Sequence, residues 1–384
     1  MFTQVKVSAI EIKGGFISKV YKVEIHHKDA TAPIVVVLKV SGTEYEALDK
    51  CKKSSTISDI VTARMHNREC DFYLRFADKQ TIPLVKMYRI QKCTEGQPGA
   101  LLMESKLSRS RSSPLYCGAN VLQIFEVVKH ISNFHKYVLS LDVEEWRGKY
   151  PFDAFKSFSE ADPYIQFYEK LTLMKPGVFD QGIKVFGKCR KNEKCMRYIM
   201  VDVHKDIGLP AVLCHGDFWN NNILWKSTAE NVLTNEIEAI IDWQCVHEGS
   251  MASDISRFLG VCTDADIRRE YEDEVLRFYY DTISEHLKSE GRPEPFAFEQ
   301  LRTAYETNFI HQAMICMIAG PLLIDCDDAD GQELHVKQAQ MEKLLLRAKL
   351  AVEDAIIYVR RLPSHILELC NLSTEDLLPV NNIH

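Results

Sequence analysis

Between Cys214 and Trp225 the chain reads CHGDFWNNNILW, with Asp217 two places after His215 and Asn222 after a gap of four residues. Short polar side chains crowded between apolar runs make either an ordinary turn or a loop in which an acid and an amide hold chemistry. The spacing H-x-D-x-x-x-x-N is that of a loop built for phosphoryl transfer. That reaction needs an anionic acceptor beside the attacking hydroxyl, to orient it and take its proton, and Asp217 suits the role. It also needs an oxygen ligand for Mg2+, because the metal neutralises charge developing on the phosphates; Asn222 suits that one. Twenty residues further on, AIIDWQ sets Asp242 at the end of an apolar strand. A carboxylate exposed there is placed to be the main Mg2+ ligand, since Mg2+ commonly takes one or two carboxylates together with substrate phosphates.

The elements that must position these groups lie mostly upstream. IVVVLKV, residues 34–40, reads as a buried β-branched strand containing one lysine, Lys39. A buried cation is costly unless paired, and Glu69, in a segment from Glu44 to Phe76 that reads as helical, would pair with it and leave it facing a phosphate. KVSAIEI and FISKVYKVEIHH alternate as strands around Gly14-Gly15. That hairpin turn suits covering phosphates with backbone N–H groups, Gly15 among them, and with the Ser18 hydroxyl. LVKMYRIQK and ALLMES add two strands, so the first hundred residues describe a small sheet with one helix against it. No G-x-x-x-x-G-K-[ST] loop occurs, which excludes a P-loop enzyme. Each feature alone has a bland reading: a turn glycine, an edge-strand lysine, a solvated helix glutamate. Their order along the chain is what argues for a site.

HGDFWNNNILW followed by IIDWQ resembles the Brenner-type phosphotransferase signature of aminoglycoside phosphotransferases and choline kinases. GFISKVYKV, VVVLKV, LLMES and SDISRFL resemble the CHK kinase-like branch of that superfamily, which includes the ecdysteroid kinase-like proteins of invertebrates. The resemblance runs from about Gly14 to Arg361. It implies an α+β, bilobal protein kinase-like fold, with a small β-rich N-terminal lobe over residues 1–104 and a larger, mainly helical lobe over 105–384. It implies ATP and Mg2+ as cofactors, Asp217 as catalytic base, and Asn222 and Asp242 as metal ligands. Lys39 would hold the α/β-phosphates, braced by Glu69, with Gly15 and Ser18 nearby. Leu101 to Glu104 would be the hinge whose backbone meets adenine, with Met103 and Glu104 as contacts. Asp254 would tie the catalytic loop to the following helix. The chain departs from the pattern in lacking G-x-G-x-x-G and in carrying Asn220-Asn221 where the branch more often has small residues.

Composition bounds the remaining choices. The 384 residues carry a net charge of −7, against a broad electrostatic footprint for nucleic acid. No signal peptide is evident, and no apolar run approaches a membrane span; AMICMIAGPLLI is short and interrupted by Gly320-Pro321. A cytoplasmic protein is expected, its twelve scattered cysteines reduced and buried. Cys189 and Cys195 with His204 match no metal-motif spacing. SKLSRSRSSP, residues 105–114, suits a linker or exposed loop. Beyond it Val121, Ile124, Phe125, Val128, Ile131 and Phe134 form one helical stripe, and His135 reads as a packed helix histidine. Residues 160–210 and 265–362 read as helical, around a short β island that holds the loop. Eleven residues between Asp242 and Asp254 leave no room for a protein-kinase activation segment, so the partner is a small-molecule hydroxyl. Phe278, Tyr279, Tyr280, Phe309, Met314 and Met317 suit a lipophilic wall or simply core, while the acids of DCDDADG suit a cationic alcohol. The function expected is phosphotransfer to a sterol-like, choline-like or xenobiotic alcohol. The rival is a catalytically silent pseudokinase that binds nucleotide or a partner. Oligomeric state is not legible.

Overall fold

The computed structural model describes residues 2–10, 18–28, 30–42, 59–79, 82–152, 165–292, 296–326 and 329–378. The chain divides into two compact units: Met1–Ser113 with Asn221–Val246, and Pro114–Asn220 with His247–His384.

The first unit is built on five strands, β1 (Phe2–Ala9), β2 (Ser18–His27), β3 (Ile34–Ser41), β4 (Met87–Gln91) and β5 (Ala100–Glu104), in the order β1-β2-β3-β5-β4. Every pairing is antiparallel. The β-branched run of β3 fills the central position, where both edges need partners and both faces favour stiff side chains. The register sets Lys39 between Val20 on one side and Leu101 on the other, so Lys39 belongs to an interior strand. Helix α1 (Asp59–Phe76) packs on β3 and β4, burying Cys70, Phe72, Tyr73 and Phe76. Of the helical segment expected from Glu44, residues 44–58 lie outside those described.

A second sheet of this unit joins β6 (Ser110–Arg111), β8 (Ile223–Ser227) and β9 (Leu233–Ile240). In the serine-rich stretch expected as linker or loop, Ser110 and Arg111 pair with β8, and the other eight residues are turn or coil as expected. Ser110 lies opposite Lys226 and is buried, its hydroxyl donating to the Lys106 carbonyl, while Lys106 and Arg109 both meet Glu104 and Glu238. These long-range acids neutralise the basic character that made the segment read as solvated.

The second unit is helical apart from a two-stranded antiparallel ribbon, β7 (Ala211–Cys214) with β10 (His247–Ser250). Helix α2 (Val121–Ser140) starts at a capping box in which Asn120 and Gln123 satisfy each other's backbone N–H. Its buried face includes Ile124, Val128, Ile131 and Phe134. Then come α3 (Ile165–Met174), α4 (Asp180–Arg190), α5 (Ser253–Cys262), α6 (Ala265–Ser289), α7 (Phe298–Leu323) and α8 (Gly331–Arg360). Helix α7 runs on through Gly320-Pro321, which ends nothing before its last turn. Gly320 is needed there for packing: a Cβ would stand 3.0 Å from the Met341 sulfur of α8. Tyr279, Phe309, Met314 and Met317 are core residues. No helix among the described residues is long and apolar enough to cross a membrane. The order is the α+β one expected, with an antiparallel sheet first and a mostly helical remainder.

His135 links α2 to α6 through Nδ1, 2.7 Å from the Tyr279 hydroxyl. Burial pushes its pKa down to about 3, against the pull of the Leu213 carbonyl, so it is neutral in the folded protein. The unfolded chain binds this proton near the ordinary value, so stability is full above about pH 6.5 and falls as pH drops toward 3. Below that onset each pH unit costs about 1.4 kcal/mol from this group. Urea denaturation at pH 7 and pH 5 checks it: His135→Gln is expected to flatten the acid loss by about one proton, and an unchanged slope would exclude His135 as its source.

Candidate active site

In the first unit the site is organised by Lys39. Its Nζ lies 2.7 Å from Glu69 Oε2 and 2.6 Å from Asp242 Oδ1. The lysine side chain is 9% exposed and that of Glu69 1%, whereas that of Asp242 is 27% exposed. Burial alone would pull the lysine pKa down, but the Asp242 and Glu69 carboxylates outweigh it and keep Lys39 charged. Burial acts on Glu69 in the opposite sense and raises it, opposed chiefly by Lys39. A second stabilising contact for Glu69 is the Trp243 amide. Glu69 therefore holds both the lysine and the residue directly after Asp242.

Asp242 and Asn222 are brought to one end of the β8–β9 pair by register. Ile223 lies opposite Ile240, and the Ile241 amide donates to the Asn222 carbonyl at 2.9 Å. Asp242 then leaves the strand in the left-handed region, φ 67° and ψ 55°, a conformation that costs free energy in a residue with a Cβ and collects at functional sites. The turn is pinned by its neighbour: the Trp243 ring stacks on Phe72 of α1 with centroids 3.9 Å apart, and its indole donates to the Ile240 carbonyl. Gln244 donates to the second carboxylate oxygen, Asp242 Oδ2.

The second unit holds the loop that follows β7. Asp254, near the start of α5, accepts the His215 amide at 2.6 Å and the Gly216 amide at 3.0 Å, so it ties loop to helix as the resemblance implied. Burial raises its carboxyl, opposed by the neighbouring His215 and by these two amides. Gly216 sits at φ 83°, where a Cβ would be strained, and so lets both amides face one carboxylate. His215 is buried, and its Nδ1 accepts the Asp217 amide at 3.2 Å, a scaffold rather than a reacting group. The Asp217 carboxylate is 29% exposed and takes Arg257 Nη2 at 2.8 Å. Arg257 had no role in the sequence reading, although SDISRFL contained it; three places after Asp254 on a helix, it shares that residue's face.

Other expected positions fare unevenly. Gly15 lies outside the described residues, as do Asp327 and Asp328 of DCDDADG. Ser18 opens β2, opposite Ser41. Met103 is buried in β5, whose two edges are covered by β3 and β4. The Glu104 amide donates to the Lys86 carbonyl and its carboxylate binds Lys106 and Arg109. An adenine contact through the Glu104 N–H is therefore closed off by an existing bond. The cysteines also depart from expectation: Cys195 and Cys370 form a disulfide, whereas among the described residues Cys189 and eight others are free. Asn192 brings that pair together, accepting the Cys195 amide and donating to the Leu369 carbonyl. His204 turns its Nδ1 to the Val201 carbonyl, and the three cysteines that lie together, Cys189, Cys195 and Cys370, form their group without it.

The fold is α+β, an antiparallel sheet followed by a mostly helical remainder. A family profile described as "Uncharacterized oxidoreductase dhs-27" (DUF1679) matches residues 3–358, and the chain belongs to that family. The Caenorhabditis elegans protein with that description is 26% identical over 301 residues, covering 77% of this chain and 36% of its own length, so this chain spans about a third of that relative. A second Caenorhabditis elegans protein, "Uncharacterized kinase-like protein D1044.1", is 23% identical over 329 residues, covering 79% of this chain and 80% of that protein. Among solved structures, a thermostable mutant of aminoglycoside phosphotransferase APH(4)-Ia, in a ternary complex with AMP-PNP and hygromycin B, is 13% identical with a TM-score of 0.41, covering 89% of this chain and 95% of that one.

Removing one member of a buried ion pair strands the other in low dielectric and costs about 3–5 kcal/mol. Lys39→Met is expected to lose that much in urea denaturation, because Glu69 is left without its cation. Lys39→Met with Glu69→Met is expected to regain most of it, since no fully buried charge then remains and the partly exposed Asp242 carboxylate keeps access to water. A double variant no more stable than the single one would show that Glu69 needs no counter-charge.

Proposed function

We propose that this chain is a small-molecule kinase of the CHK or ecdysteroid kinase-like branch, moving the γ-phosphoryl group of ATP to an alcohol. The observation that carries the reading is the Lys39 cluster. A lysine in the central strand of a sheet, held by a buried glutamate and by a partly exposed aspartate in strained backbone, has a geometry that packing alone does not require. Lys39 would hold the α/β-phosphates and Glu69 would keep its ammonium in place. Ser18 and Gly15 would cover the phosphates, while adenine would meet the backbone following Met103, through groups other than the Glu104 N–H.

The donor set fits Mg2+. Asp242 supplies a carboxylate with surface access and Asn222 an amide oxygen at the same strand end, both hard ligands of the kind Mg2+ takes beside substrate phosphates. When bound, the metal would supply charge neutralisation on the phosphates. Asp217 would orient the acceptor hydroxyl and take its proton. The new bond runs from the alcohol oxygen to the γ-phosphorus, the bridging β–γ bond breaks, and ADP leaves with the electron pair.

The word oxidoreductase describes a relative of which this chain spans 36%. A dinucleotide-binding domain needs parallel strands with crossover helices, and every strand pair named above is antiparallel. The activity of that longer protein therefore finds no support in this chain's sheets. The silent-kinase alternative, a module that binds nucleotide or a partner, differs from ours in having no turnover.

Thermal unfolding with ATP, with and without Mg2+, tests the nucleotide site without an acceptor. Saturation at about 100 times the dissociation constant adds roughly 2.7 kcal/mol, a rise of a few degrees for a protein this size. Asp242→Asn is expected to lose the Mg2+-dependent part of the rise. Asp217→Asn is expected to keep it and to lose ADP release. No rise at millimolar ATP, or a full Mg2+-dependent rise in Asp242→Asn, would count against the assignment.

A further inference from the structure

Helix α5 grips the loop after β7 at three points, and the third is unexplained by the roles assigned so far. Asp254 holds two main-chain amides; one turn later Arg257 holds the carboxylate of Asp217 itself. The arginine is in turn held from α7, where Gln312 Oε1 accepts Arg257 Nη1 at 3.3 Å and Gln312 Nε2 lies 3.3 Å from His311 Nδ1. Burial, and after it the charge of Arg257, pushes His311 down to about 3. A neutral imidazole can accept from the Gln312 amide, which turns the amide oxygen toward Arg257 and leaves the guanidinium to donate to Asp217. The four groups form one directed chain ending on Asp217.

We infer that Arg257 is the positioning residue of Asp217, fixing the plane of its carboxylate by occupying Oδ1. An arginine kept only for stability looks different in the same unit. Arg347, 4% exposed, donates Nε and Nη2 to Asp264 and Nη1 to the Leu115 and Val261 carbonyls, so all three of its nitrogens are engaged. Arg257 has a buried Nε with no partner. The carboxylate on which Arg257 acts is the group that would take the acceptor's proton on the proposed reading, and a carboxylate free to rotate would present the wrong oxygen for most of its time.

This inference rests on the phosphotransferase reading, and its test is steady-state ADP release from Mg·ATP by the full chain with water as acceptor. Arg257→Met is expected to lower kcat about 100-fold, the scale of a catalytic group held out of place, with KM for ATP and the unfolding midpoint close to the parent. Arg257→Lys restores the charge without the planar fork and is expected to recover part of the rate. Gln312→Leu, which leaves Arg257 in place but unheld, is expected to lose less than Arg257→Met. A kcat in Arg257→Met equal to the parent's overturns the inference alone. So does a loss that follows a lowered unfolding midpoint and is unrelieved by lysine. ADP release by the parent no faster than by Asp217→Asn sinks the phosphotransferase reading and this inference with it.

Discussion

The first unit depends on keeping one ammonium charged inside a sheet. Lys39 is flanked by β2 and β5 and cannot reach solvent by leaving an edge, so its charge must be met where it stands. Glu69 meets it from α1, and this sets where α1 must lie. Helix position then sets the Asp242 turn, because Glu69 also takes the Trp243 amide and Phe72, three residues further along α1, stacks on the Trp243 ring. The left-handed backbone of Asp242 is held by these contacts to the residue after it. Strain that a free turn would relax is retained here because the neighbouring side chains leave no alternative.

Much of this was legible in the sequence, and the part that was not has a common cause. β-branched runs, alternation and helical stripes are local, and they place β2, β3, β5, α2 and α6 well. Lys39 could be paired with Glu69 in advance, because burial of a lone lysine has few remedies. The second bond of Glu69, to a backbone amide far along the chain, carries no signal in residue type. Arg257 was visible as a residue but not as a partner, since its meaning depends on which loop α5 faces. The two-residue strand inside the basic serine-rich segment was hidden for the same reason: its partner β8 and its acids, Glu104 and Glu238, lie elsewhere in the chain. The disulfide of Cys195 with Cys370 joins residues 175 apart and had no motif to announce it.

The division of the chain follows from the same long-range contacts. Asn221–Val246 belongs with the first unit although second-unit sequence flanks it on both sides. Three contacts account for that. β8 takes β6 as its neighbour, the Ile240 amide donates to the Pro83 carbonyl, and Trp243 stacks on Phe72. The break falls within the run of asparagines, so Asp217 and Asn222 are organised by different surroundings despite lying in one loop of sequence. Periodicity could identify the β island but not what it would pair with.

Both carboxylates given proposed chemical roles are engaged by a cation, and the two pairs differ in kind. Asp217 meets a guanidinium that is itself anchored by Gln312, so the carboxylate is restrained. Asp242 meets an ammonium that already has a second, deeper partner. Lys39 can exchange Asp242 for a phosphate oxygen without losing its place, because Glu69 remains buried beside it. The exposed member of the triad is thus the replaceable one, and the buried member is the anchor. On the proposed reading, an arriving nucleotide would be exchanged for Asp242 at Lys39 and would free that carboxylate at the strand end it shares with Asn222. The same three charges would serve the empty and the occupied site with one partner changed, and the cost of burying Lys39 would be met in both states.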